Sequence, residues 1–358
     1  MGGYEMAEES GRRIYTEERN AGNKYREKQL AEMLELIEER RKDADYNRAR
    51  YFTPDFSSIE SYMESTCAYR NEFIKMLGWP LTQYSNALPK PEAEIEFVAE
   101  DDFGKIYRLN IRAMPKVNTY GILFLPKGNG PFPLIIAQHG GLGTPELCSG
   151  FFGSDNYNDM TRRVLKNGVA VFCPQLLLWA DEFGPEYNRQ TIDQQLKQLG
   201  GSITALEIFK IRRSIDYFLT REDIIHNQIG MIGLSYGGFY TLFTTAVDLR
   251  IQAALSSCFF NNRHIYGWHD WTWFNSANTF FDAEVCALIC PRPLYIEVAK
   301  NDELFDVKYA APEYKKVMRI YEQLGVSQSL KYKEFNGVHE LDKDNEGISF
   351  ICNKIKNM

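Results

Sequence analysis

Ile229-Gly230-Met231-Ile232-Gly233-Leu234-Ser235-Tyr236-Gly237-Gly238 is an apolar run that ends in Gly-x-Ser-x-Gly-Gly. The apolar part reads as a buried strand, and Gly238 to Val247 reads as the helix that follows it. Gly233 and Gly237 suit a sharp strand-to-helix turn, because side chains there would collide as the chain reverses. Such a turn lifts Ser235 above the edge of a sheet. The first turn of a helix leaves backbone N–H groups unpaired at the positive end of the dipole, so the Tyr236 N–H is placed to face a developing oxyanion. Ser235 is the candidate nucleophile and Tyr236 a candidate oxyanion donor. The plain alternative is a glycine-rich connection, and the strand before and helix after weigh against it.

The same rhythm extends outward. Leu134 to Gln138, Val169 to Cys173, Ala253 to Ser257, Leu294 to Ala299 and Leu330 to Phe335 read as further short apolar strands. Helical stretches are predicted over Asn158 to Asn167 and Thr191 to Leu219. Continuous apolar strands alternating with helices imply a mostly parallel sheet covered on both faces, an α/β fold. Ile95 to Ala99, Ile106 to Ile111 and Tyr120 to Leu125, divided by Asp101-Asp102-Phe103-Gly104 and Pro115, read as an antiparallel opening to that sheet. Residues 91–358 form the expected catalytic domain.

Residues 1–90 read as a helical N-terminal extension. Tyr25, Leu30, Met33, Leu34 and Ile37 recur at three- and four-residue steps between Glu, Lys and Arg, a face that should lie on something. A second helix is predicted over Ser57 to Leu77, ended by Gly78-Trp79-Pro80. With no low-complexity linker after it, the extension is expected to cap the main domain; formation of a homo-oligomer is the other role left open.

Ile135-Ile136-Ala137-Gln138-His139-Gly140-Gly141 is a second strand running into glycines. Glycines let a backbone N–H approach a substrate oxygen closely, which makes Gly141 the second candidate oxyanion donor. A serine nucleophile needs a base, and the chain has five histidines. His139 belongs to the oxyanion turn, His226 to a polar approach to a strand, and His264 and His269 to an aromatic insert. His339, in Phe335-Asn336-Gly337-Val338-His339-Glu340 after the last predicted strand, remains. The acid should follow Leu294 to Ala299, and Asp302 is the first loop carboxylate there, with Glu303, Asp306, Glu297 and Asp270 as rivals.

The insert from Phe259 to Phe274 holds Trp268, His269 and Trp271. Aromatic faces pack on the C–H faces of pyranose rings, so these residues, with Trp179 on another loop, are candidate substrate contacts; an aromatic lid packed on the body is the plain alternative.

Composition bounds the rest. The net charge of −7 offers polyanions no general attraction, so nucleic acid is not an expected partner. Seven cysteines are scattered with no CxxC pair, which suggests a reducing compartment. Met1 to Arg13 has no apolar run of signal-peptide length, and no stretch is long enough to span a bilayer. A cytoplasmic protein with no membrane contact is expected. There is no zinc spacing, Walker loop, EF-hand or dinucleotide fingerprint, so neither a metal nor a cofactor is expected.

Taken in order, GLSYGG, QHGG, PRPLYIEVAKND and FNGVHE resemble the α/β-hydrolase superfamily, in its bacterial acetyl xylan esterase-like and dienelactone hydrolase-like branch. The resemblance covers about Glu94 to Lys356. It implies a serine carboxylic-ester hydrolase working through Ser235, His339 and Asp302 on a small-molecule or saccharide ester, with acetyl esters of carbohydrates as the leading class. Two departures bear on substrate. Dienelactone hydrolases proper carry cysteine where this chain has Ser235, and deacetylases of the cephalosporin-C type carry Arg-Gly-Gln where Gln138-His139-Gly140 stands. The rival expectations are an amide hydrolase of the prolyl oligopeptidase kind, for whose usual β-propeller the chain has no room, and a catalytically silent binding protein on the same scaffold.

Overall fold

The computed structural model describes residues 6–9, 12–85, 87–153 and 155–357. Much of Met1 to Arg13, on which the reading of the leader rested, lies outside the described residues. The main sheet has nine strands: β1 (Ala93–Glu100), β2 (Gly104–Met114), β3 (Val117–Pro126), β4 (Phe132–Gln138), β5 (Ala170–Pro174), β6 (Ile224–Leu234), β7 (Ile251–Ser257), β8 (Leu294–Ala299) and β9 (Leu330–Phe335). Their order across the sheet is β9-β8-β7-β6-β4-β5-β3-β2-β1. The β1, β2 and β3 pairings and that of β3 with β5 are antiparallel, and the others are parallel.

Alternation along each strand divides the interior into two cores, one per face. Leu134, Ile136, Ile229 and Met231 join one with Phe209, Phe239 and Val317, while Ile135, Ala137, Ile232 and Leu234 join the other with Val164, Ile351 and Ile355. Burial on both faces explains why these strands are continuously apolar.

The extension is built from α1 (Asn23–Tyr51) and α2 (Ile59–Leu77). Ser58 caps α2 by accepting the Ser61 N–H at 3.0 Å. Tyr62, Phe73 and Leu77 of α2 enter the first core. Arg70 donates to the carbonyls of Ala246 (2.8 Å) and Leu288 (3.0 Å), and Tyr62 to that of Ala287 (2.8 Å). Helix α1 behaves differently from its predicted role. Only Ala44 and Arg48 are buried, with Arg48 facing Glu284, whereas Tyr25, Leu30, Met33, Leu34 and Ile37 are all exposed. The helical rhythm is right; the apolar face lies on nothing among the described residues.

The helix predicted from Thr191 to Leu219 is two, Arg189–Gln198 and α3 (Ile203–Phe218). Trp79 N–H donates to Gly200 O at 3.0 Å, and a Cβ on Gly201 would lie 2.5 Å from Trp79 O. Gly201 admits the chain after α2 at backbone distance while Gly200 turns at φ 79°, and the helix breaks there. Ser202 then caps α3 through the Ala205 N–H at 3.0 Å. The segment Asp223 to Asn227, read as a polar approach, is already strand from Ile224, with a register shift before Leu134 pairs with Ile229.

Candidate active site

Parallel pairing brings the chemistry to one edge. Leu234 pairs with Ser257, Ser257 with Glu297, and Ala299 with Phe335, so the chain leaves β6, β7, β8 and β9 side by side at their carboxyl ends. Ser235, Cys258, Asp302 and His339 sit on the four exits.

Ser235 occupies the turn from β6 into α4 (Tyr236–Val247) with φ 59° and ψ −122°, a conformation costing about 1–3 kcal/mol in an L residue. The neighbouring glycines make it achievable. A Cβ on Gly233 would lie 2.2 Å from Gly237 O, and one on Gly237 would lie 2.1 Å from Gln138 O. Ser235 N–H donates to Ser257 O at 2.9 Å, while its hydroxyl has no partner among the described residues.

His339 Nδ1 stands 3.0 and 3.1 Å from the two carboxylate oxygens of Asp302. Asp302 Oδ1 also accepts the N–H groups of Leu304 (2.8 Å) and Phe305 (3.0 Å), which fixes the carboxylate in its turn. With Nδ1 committed to Asp302, Nε2 is the ring nitrogen left open. Of the rivals, Glu303 accepts the His339 backbone N–H at 3.2 Å and Asp306 caps α5 (Val307–Gln323). Glu297 and Asp270 are buried and engaged elsewhere.

The Gly140-Gly141 turn is held by groups beneath it. Among the described residues neither Tyr236 N–H nor Gly141 N–H has an acceptor. A Cβ on Gly141 would touch the Tyr236 ring at 3.3 Å, so the two loops abut. Gly140 N–H donates to Tyr157 Oη at 2.7 Å. His139 is fully buried: Nε2 accepts the Leu176 N–H at 3.0 Å, which leaves Nδ1–H to donate to Gly140 O at 2.8 Å. Burial pulls its pKa down to about 4, so the ring is a neutral brace.

A serine on such an elbow, a carboxylate-bound histidine and free N–H groups at one sheet edge are the parts of an acyl-transfer site. The profile of the dienelactone hydrolase family matches residues 121–323, more than half of the chain. The chain belongs to the dienelactone hydrolase family. YtaP of Bacillus subtilis (strain 168), whose name describes it as a hydrolase, is 24% identical over 216 residues, 56% of this chain and 71% of that one. Among solved structures, a Bacteroides fragilis NCTC 9343 protein titled an acetyl xylan esterase superposes with a TM-score of 0.60 at 14% identity, covering 85% of this chain and 86% of that one. A CE15 glucuronoyl esterase from Teredinibacter turnerae T7901 gives 0.59 at 16% identity, covering 84% and 86%. At this identity the likeness is one of fold, and the fold is that of the α/β-hydrolases.

In this member of the family the aromatic insert packs onto the helix that follows Ser235. Trp268 is exposed and stacks on Trp271 (4.4 Å, 9°), and both adjoin the Tyr236 ring. Trp271 is itself buried against Phe239 and Phe259, so it can support Trp268 but cannot face a substrate as expected from sequence. His269 is half-buried; its carbonyl accepts Lys197 Nζ at 2.6 Å, and its Nε2 is buried without a partner. Trp179 pairs with Leu142, the residue after Gly141, and is half-buried, with Nε1 donating to Pro185 O at 3.1 Å.

Three features escaped the sequence reading. Asp270 is buried in an ion pair with Arg189 at 2.8 Å and accepts the Tyr236 hydroxyl at 3.0 and 3.1 Å, so the insert is bolted to the residue after Ser235. Tyr157 Oη sits under the Gly140-Gly141 turn. Cys258 places its thiol within 4.8 Å of the facing Asp302 and His339 atoms, and burial beside Asp302 pushes that thiol well above its usual range. No spacing in the sequence marks any of them, because each pairing joins segments 17 or more residues apart.

Proposed function

We propose that this chain is a serine carboxylic-ester hydrolase, an acetyl esterase acting on acetylated carbohydrate or a small ester through Ser235, His339 and Asp302. The observation that carries the reading is the pairing of His339 Nδ1 with Asp302 at the strand edge where Ser235 holds its strained turn.

In the first half-reaction Ser235 Oγ bonds to the ester carbonyl carbon as its proton passes to His339 Nε2. The carbonyl electrons move onto oxygen, which the N–H groups of Tyr236 and Gly141 receive. The C–O bond to the alcohol breaks, and the alcohol leaves with the proton from His339. A water then attacks the acyl-serine, giving its proton to His339, and collapse releases the acid and returns the proton to Ser235 Oγ. Asp302 holds the imidazole in the required tautomer and stabilises its charged form.

Hydrolysis of p-nitrophenyl acetate by the purified chain, lost in Ser235→Ala, is the expected result. Turnover unchanged in Ser235→Ala overturns the assignment, and so does failure of a fluorophosphonate probe to label Ser235. Faster cleavage of a dipeptide amide than of acetate esters overturns the ester preference.

A further inference from the structure

Beside the loop that follows β4 lies a cleft of ≈ 570 Å³ bordered by Arg108, Tyr120, Thr144, Glu146 and Trp179. It belongs to the same edge as the nucleophile. A Cβ on Gly140 would lie 3.2 Å from Ser235 Cβ, and Thr144 is four residues further on, a reach of at most about 14 Å from Gly140, so the cleft starts within about 19 Å of Ser235. Leu142 also pairs with Trp179 in an isolated bridge, which ties the cleft wall to the oxyanion turn itself.

Its polar groups are half used. Arg108 Nε donates to Tyr120 Oη at 3.2 Å, and Tyr120 in turn donates to Glu146. The terminal amino groups of Arg108 and the second carboxylate oxygen of Glu146 have no partner among the described residues. An oriented donor fork and an acceptor therefore border one cavity, held apart by a tyrosine that bonds to both. The opposite charges balance, which disfavours an ionic occupant. The indole of Trp179 is pinned by Pro185 O, and Tyr187 donates to its backbone carbonyl at 3.0 Å. Beyond it, Phe152 and Phe183 stack at 5.8 Å and 18°.

We propose that this cleft seats the sugar part of the substrate: an uncharged, O-acylated di- or trisaccharide, one ring on Trp179 and neighbouring hydroxyls shared between Arg108 and Glu146. An apolar face beside a donor–acceptor pair matches a pyranose, which has C–H faces and an equatorial rim of hydroxyls that each donate and accept. A long alkyl chain would leave Arg108 and Glu146 unpaired, and a free carboxylate would meet Glu146 as well as Arg108. The proposal rests on the esterase reading and adds where the alcohol portion lies.

Two measurements separate its failure from that of the esterase reading. The first is tryptophan fluorescence titration of the full-length Ser235→Ala chain with acetylated di- and trisaccharides of xylose, glucose and mannose. Saturable binding is expected, weakened at least about fivefold by Trp179→Ala and at least about tenfold by Arg108→Met. The second is kcat/KM for the best saccharide ester divided by kcat/KM for p-nitrophenyl acetate, which should fall by similar factors in the two variants, chiefly through KM. A wild-type chain that cleaves p-nitrophenyl acetate while this ratio stays constant in Arg108→Met overturns the cleft and leaves the esterase standing. No binding by any member of the panel also overturns it. A chain that binds the saccharides at the cleft but cleaves no ester supports the cleft and removes the esterase.

Discussion

His339 Nδ1 lies 3.0 Å from Asp302 Oδ2, although 37 residues separate them, because β8 and β9 are parallel neighbours and both loops leave at the same end. The bond sets which imidazole nitrogen is free. Asp302→Asn can keep the acceptor for Leu304 and Phe305 but presents an amide that no longer stabilises an imidazolium. A fall in kcat of about 10³–10⁴ on p-nitrophenyl acetate is expected, with KM little changed. Circular dichroism should show an intact fold. Retention of a tenth or more of wild-type kcat would mean that Asp302 is not the acid.

Arg189 and Asp270 provide a test of what holds the insert. Both are largely buried, and Asp270 also receives the Tyr236 hydroxyl, which burial and the nearby Asp270 charge push above its usual pKa. Arg189→Met strands the Asp270 charge and should destabilise the chain by about 3–5 kcal/mol in urea unfolding. Arg189→Met combined with Asp270→Asn should recover part of that loss. A double variant no more stable than Arg189→Met alone would show that the charge on Asp270 is not the source of the cost.

His139, buried under the Gly140-Gly141 turn, should make the stability of the fold depend on pH. Its folded pKa is pulled by burial to about 4, below the ordinary 6.5, so the unfolded chain binds the proton more readily. The neutral ring's full contribution is present above pH 6.5 and is lost as pH falls toward 4, a change of roughly 3 kcal/mol. His139→Gln removes this titration. The stability gap between wild type and variant, followed by urea midpoints, should therefore narrow between pH 7 and pH 4.5. A gap that is constant with pH would mean that the ring titrates alike in both states.

How much of this was legible differs from element to element. Strand β8 was readable at its full extent because its period, length and flanks all agree, and Ser235 was readable because glycines on both sides have few other uses. The pairing of His339 with Asp302 was legible from chain order, because neighbouring parallel strands release their loops at the same end. The break at Gly200-Gly201 was hidden because the backbone that packs there is that of Trp79, more than a hundred residues away. Helix α1 was legible as a helix and not as a neighbour, since periodicity reports an apolar face without reporting what covers it. Trp268 and Trp271 look alike in sequence and differ in depth, which depends on Phe239 and Phe259 arriving from other segments.

Glu297 supplies a prediction of opposite sign. It lies on β8, buried, and Oε1 accepts the Asp342 N–H at 2.9 Å, in the loop that carries His339. Burial pushes its carboxyl up to about 7, against the pull of that N–H. The folded chain therefore binds the proton more readily than the unfolded one between pH 4.5 and 7. Stability from this group falls as pH rises through that window and stays at its lower level above it, a cost of roughly 3 kcal/mol at most. Glu297→Gln keeps an acceptor for Asp342 and cannot ionise. It should be more stable than wild type at pH 8 and indistinguishable from it below pH 4.5, with kcat preserved. Glu297→Ala removes the acceptor, leaves the Asp342 N–H buried and unpaired, and should lower kcat at every pH by loosening the His339 loop. If Glu297→Gln is no more stable than wild type at pH 8, the carboxyl ionises in the fold without cost, and its bond to Asp342 is a tether insensitive to pH.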